Sequence, residues 1–183
     1  MTGIRQWGLG LALLLALPST ALAEAHAPSG LTVVPLEVHA AEGVRRFEVE
    51  VARTGPERRR GLMERDRLEE DTGMLFLYRE SQSPNSGFWM YRTRIPLDIA
   101  FIGEDGRIAA TFTLWPCGSA DPAECPVTYP GVPYRAAVEV NAGTFERLGI
   151  AEGDCVGWPG SPGRCPLEAD AGEDADQGAP EPY

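Results

Sequence analysis

Asp98 stands inside the apolar run Leu97-Asp98-Ile99-Ala100-Phe101. A carboxylate among such neighbours is costly unless a cation or hydrogen-bond donors answer it. The partners on offer are an arginine of the run Arg58-Arg59-Arg60, the hydroxyl of Thr93, or backbone N–H groups. Two uses follow. Asp98 is a structural anchor for the turn after Pro96, or it is the polar floor of a pocket walled by Trp89, Met63 and Met90. Glu139, between Val138 and Val140, is either solvated or joins Asp98. Two facing carboxylates would suit glycoside hydrolysis, if the geometry places them together. The expected ligand cleft comprises Arg58, Arg60, Trp89, Met90, Thr93, Asp98 and Glu139.

Met63, Met74 and Met90, beside Trp89, raise a second chemistry. Thioethers are soft ligands that favour Cu(I), and an indole can cover such an ion. The plainer alternative is that these methionines fill core gaps and pack on aromatics. Nucleophile chemistry has little to work with: there is no G-x-S-x-G run and no glycine-rich phosphate loop.

The elements that must position these residues are mostly strands. Leu31–His39 and Val44–Ala52 form a hairpin, with Phe47, Val49 and Val51 alternating against Glu48 and Glu50. Pro35 puts the first strand at an edge or a bulge. Thr54, Pro56 and Glu57 start a short helix running to about Glu64. Strands follow at Met74–Tyr78, Phe88–Thr93, Asp98–Gly103, Arg107–Trp115 and Tyr134–Val140, with a tight turn at Asp105-Gly106. Asn141 or Thr144 caps a second short helix that Gly149 stops. A last strand lies within Ile150–Trp158. The pattern predicts a mainly β domain, a compact sandwich or jelly-roll-like barrel with two short helices.

Composition sets the address and excludes some partners. Residues 1–23 read as a secretory signal: Arg5, then the apolar run Leu9–Leu17, then Ala21-Leu22-Ala23 before cleavage. An uncleaved anchor is the alternative, but the run is shorter than the roughly 20 residues a span needs. No other run is long enough to span, so the expected location is the periplasm or the cell exterior. Residues 24–30 form a linker, 31–165 one domain, and 166–183 an acidic tail expected to be disordered. The formal net charge is −11, which argues against nucleic acid and anionic membranes as partners. No cofactor is indicated, and the partner expected is an unidentified ligand or protein. Cys117, Cys125, Cys155 and Cys165 are even in number in an exported chain, so disulfides are expected. The preferred pairs, Cys117–Cys125 and Cys155–Cys165, each close a short loop.

Five motifs fall in order: Arg58-x-x-Gly61-Leu62-Met63, Gly73-Met74-Leu75-Phe76, Phe88-Trp89-Met90-x-x-Thr93, Ile95-Pro96-Leu97-Asp98-Ile99-x-Phe101-Ile102, and Glu139-Val140-x-Ala142-Gly143. Their order and spacing resemble the domain of unknown function 192 family, over about Leu36 to Val156. That resemblance implies a compact, mainly β, jelly-roll-like domain and no established activity. The chain departs from the family pattern in its cysteine-bearing inserts, in its acidic tail, and at Tyr91-Arg92, where the family has Lys-Asn.

Overall fold

The computed structural model describes residues 29–161. The expected leader, Cys165 and the acidic tail lie outside the described residues.

The chain is mainly β. It runs β1 (Val33–Ala40), β2 (Gly43–Ala52), α1 (Gly55–Arg60), β3 (Thr72–Gln82), β4 (Phe88–Trp89), β5 (Leu97–Ile102), β6 (Ile108–Leu114), a 3-10 turn at Pro122–Glu124, β7 (Val127–Thr128), β8 (Tyr134–Asn141), α2 (Thr144–Leu148) and β9 (Cys155–Gly157). Seven strands form one sheet in the order β6-β5-β8-β3-β2-β1-β9, and β4 pairs with β7 as a separate ribbon. The large sheet curls into a half-barrel. Its two ends meet at a single bridge between Arg107 and Cys155.

Register explains why the central strands read as nearly continuous apolar runs. Leu75, Val138 and Ala100 stand side by side across β3, β8 and β5. They belong to an apolar cluster with Leu36, Phe47, Val49 and Trp158. The next row, Phe76, Ala137 and Phe101, points the other way, into a second cluster with Leu62, Met74, Met90 and Tyr134. Both faces are covered, so alternation disappears from the sequence. All six residues of β5 are buried, Asp98 included.

The hairpin β1–β2 pairs throughout, from Val33 opposite Glu50 to Ala40 opposite Gly43. On its other side β1 meets β9 only from Glu37 to His39, so Pro35 sits where that side is unpaired. β2 and β3 are parallel, with α1 in the crossover.

α1 starts where expected, with a full capping box. The Thr54 hydroxyl accepts from the Glu57 amide, and the Glu57 carboxylate accepts from the Thr54 amide at 2.8 Å. It stops at Arg60, a turn earlier than the sequence suggests, because Gly61 takes φ 47°, ψ −134°. The strand expected over Phe88–Thr93 is also cut short. A turn with Thr93 N–H donating to the Met90 carbonyl, and Arg92 at φ 58°, ends it after Trp89. Cys117 and Cys125 are bonded, as preferred from sequence, and pin the loop that carries β7. Cys155 is also disulfide-bonded, with its partner outside the described residues. No helix among the described residues is long and apolar enough to cross a membrane.

Candidate functional site

Asp98 finds its companions in a hydroxyl and an amide. Oδ1 accepts from Thr113 Oγ1 at 2.7 Å, across the β5–β6 pair. Oδ2 accepts from the backbone N–H of Phe145 at 3.0 Å, in the first turn of α2. That helix starts at Gly143, which has no side chain to cap it. The carboxylate of a distant strand therefore does the capping expected of Asn141 or Thr144. No arginine of the 58–60 run is involved.

Glu139 lies on the opposite face. Asp98 stands across from Val140, while Glu139 stands across from Met74 and Ile99. Neighbouring residues on a strand point to opposite faces, so the two carboxyl groups are divided by the sheet. The paired-carboxylate hydrolase expected as an alternative is thereby removed. Glu139 is 4% exposed, and burial in the apolar cluster pushes its carboxyl up to about 8. It is a neutral acid at neutral pH.

The remaining cleft residues also separate. Met90 and Thr93 are buried, Met90 in the same cluster as Met74. Arg58 and Arg60, two apart on α1, face different hollows. Arg60 lines a hollow with Leu31, Met63 and Arg65, where Arg65 is held by Glu50 at 2.6 Å. Met63 thus lines a surface hollow, whereas Met74 and Met90 are enclosed among aromatics, the arrangement of core methionines. Among the described residues, no three of His, Cys, Asp or Glu gather as a metal site.

Arg58 and Trp89 do come together. They share a hollow with Tyr78, Phe88 and Arg59. The Arg58 guanidinium lies 4.5 Å from the centre of the Tyr78 ring. Its Nη1 donates to the carbonyls of Arg53 and of Leu77, the latter at 2.9 Å. That hollow shares Tyr78 and Arg58 with a second, which adds Arg53, Arg79 and Glu80. The second shares Tyr78, Arg53 and Arg79 with a third, a cavity of about 430 Å³ that adds Arg135 and Trp158. One groove thus follows Tyr78 from Trp89 to Trp158.

Five arginines and one glutamate line that groove. Arg53, Arg58, Arg59 and Arg79 make no ion pair among the described residues, and Arg135 comes no nearer to an acid than 3.9 Å, from Glu104. Elsewhere Arg45, Arg65, Arg92, Arg94 and Arg147 each have a carboxylate partner. Arg135 is fixed by its Nε, which donates to the Tyr78 carbonyl at 3.0 Å. Tyr78 packs edge-on against Tyr134, and burial raises the pKa of both phenols. Trp89 is 40% exposed and tilts toward Tyr91.

Sequence reasoning found Arg58 and Trp89 but missed Arg53, Tyr78, Arg79, Arg135 and Trp158. The repeated Tyr-Arg pairs at 78–79 and 134–135 were the available signal.

The chain is thus a curled, mainly β domain whose groove is lined by arginines and ends at a tryptophan on each side. The chain belongs to the DUF192 family, described as uncharacterised ACR, which matches residues 37–158. Two solved structures are similar. One is a protein of unknown function from Novosphingobium aromaticivorans, 38% identical, with TM-score 0.63, covering 73% of this chain and 90% of its own. The other is a protein from Sinorhizobium meliloti assigned provisionally as a transcription regulator, 30% identical, with TM-score 0.63, covering 70% of this chain and 95% of its own. No protein with a curated description matches the chain.

Proposed function

We propose that this chain is an exported binding module that takes an anionic ligand in the groove along Tyr78. One observation carries the reading: four arginines of that groove have no acidic partner among the described residues, in a chain of net charge −11. Acids are plentiful enough to pair them, so an unneutralised cationic groove points to a ligand that supplies the charge. Guanidinium groups bind carboxylate and phosphate in a planar, two-pronged manner. Tyr78 and Trp89 add flat surfaces against which a ligand's apolar part can rest. Export rests on the leader-like residues 1–23 and the cysteines. A mature chain beginning at Glu24, read by mass spectrometry of the secreted protein, tests it.

Regulation of transcription, suggested by the Sinorhizobium relative, has less support. The two helices have six and five residues, too short to lie along a major groove as a reading helix does.

The direct test is calorimetric titration with citrate and with pyrophosphate at low salt. Both arms should give saturable binding that weakens steeply with salt. The double variant Arg59→Gln/Arg79→Gln removes two exposed guanidinium groups that make no hydrogen bond within the described chain. It should weaken binding about tenfold or more with an unchanged melting temperature. Equal binding by parent and variant, or none by either, overturns the reading.

A further inference from the structure

The groove ends at the point where the described chain leaves the domain. Trp158 and Gly160 form part of its wall beside Arg53, Arg79 and Arg135. Six residues beyond Gly160 begins the stretch 166–183, which carries Glu168, Asp170, Glu173, Asp174, Asp176 and Glu181 and no basic residue. The chain thus tethers a base-free run of six carboxylates to the mouth of its least neutralised run of guanidinium groups. We infer that residues 166–183 occupy the arginine groove of their own chain, as an acidic peptide that an incoming anion must displace. This rests on the anion-binding reading above and adds an occupant and a control to that site.

Reach and concentration both favour the contact. Eighteen residues of extended chain span up to about 60 Å, well beyond the width of a domain this size. A short tether gives an effective concentration in the millimolar range, so even a weak acidic-peptide site is substantially filled. Attraction between clustered opposite charges needs no fixed fold in the tail and is screened by salt. Leucine at 167 and tyrosine at 183 are its only large apolar side chains, so charge must hold it.

The test keeps the full chain and neutralises the tail: Glu168→Gln, Asp170→Asn, Glu173→Gln, Asp174→Asn, Asp176→Asn and Glu181→Gln together. Two readouts are taken at low salt and at 0.5 M salt, roughly where charge attraction is screened within a few ångströms. One is the set of arginine Nε–H and tryptophan indole resonances. The other is citrate affinity. The inference expects the signals of Arg53, Arg79 and Trp158 to differ between parent and neutralised chain at low salt and to coincide at high salt. It also expects the neutralised chain to bind citrate about 3- to 10-fold more tightly. Identical spectra and identical citrate affinity overturn the tail's role while leaving the groove a citrate site. Absence of citrate binding by both chains overturns the groove reading itself. Signals that change with protein concentration would show the tail seated on a second copy, which overturns occupancy by its own chain.

Discussion

At the scale of single residues, the two buried acids have opposite lives. Asp98 is a bracket between β5 and α2, accepting from one hydroxyl and one amide. Asp98→Ala strands the Phe145 N–H in the core, at a cost of about 1–3 kcal/mol. The melting temperature should fall by several degrees while citrate binding in the folded fraction is unchanged, because Asp98 lines none of the three hollows that make up the groove. Loss of binding without loss of stability would return Asp98 to the ligand site. Glu139 behaves in the reverse sense. Its carboxyl titrates at about 8 in the folded state, against a reference of 4.5. The unfolded chain releases this proton first, so stability declines as pH rises from about 4.5 to about 8 and is flat beyond. Glu139→Gln should flatten that decline, whose full size is of the order of 5 kcal/mol. Denaturant titrations at pH 5, 7 and 9 measure it, and parallel curves for parent and variant would show that the folded acid is ionised throughout.

At the scale of elements, α1 and the β4–β7 ribbon are the two supports of the groove. The Thr54 capping box fixes the first turn of the helix that carries Arg58. Thr54→Ala should lower stability by about 1 kcal/mol and weaken citrate binding as well, since Arg58 is set by that turn. The Cys117–Cys125 bridge closes a loop of sequence separation 8. Opening it with paired serines should cost about 2–3 kcal/mol on the chain-entropy view. It also frees β7 from holding β4, so Trp89 fluorescence should shift toward that of a solvated indole before the domain unfolds. The capping box was legible in the sequence because its residues sit within four positions of one another. The cap of α2 was not, because Asp98 and Phe145 are 47 positions apart. β5 and β8 were legible as strands, but which face each acid took depended on register, which two-sided burial hides.

At the scale of the whole molecule, the mainly β fold and the family were readable from local runs and five ordered motifs. The groove was not. Arg53 directly follows β2, Tyr78 and Arg79 lie on β3, Arg135 on β8 and Trp158 beyond β9. Only the parallel β2–β3 and antiparallel β3–β8 pairings bring them to one line. The expectation that gathered Asp98, Glu139 and the arginines into a single cleft failed for the same reason: sheet topology, absent from the sequence pattern, places them on two faces and in separate hollows. Close packing enforces this arrangement. A Cβ on Gly73 would approach the Glu139 carbonyl to 2.4 Å, so β3 and β8 tolerate no larger residue there.

The amide of Phe145 has a consequence for the order of assembly. A five-residue helix cannot nucleate alone in water, and α2 has no local cap. It must wait until β5 and β8 have joined and delivered the Asp98 carboxylate from 47 residues upstream. Helix and sheet should therefore open together, and the Phe145 N–H should exchange with deuterium as slowly as the amides of β8. That proton makes a single-site gauge of whether the central strands are intact.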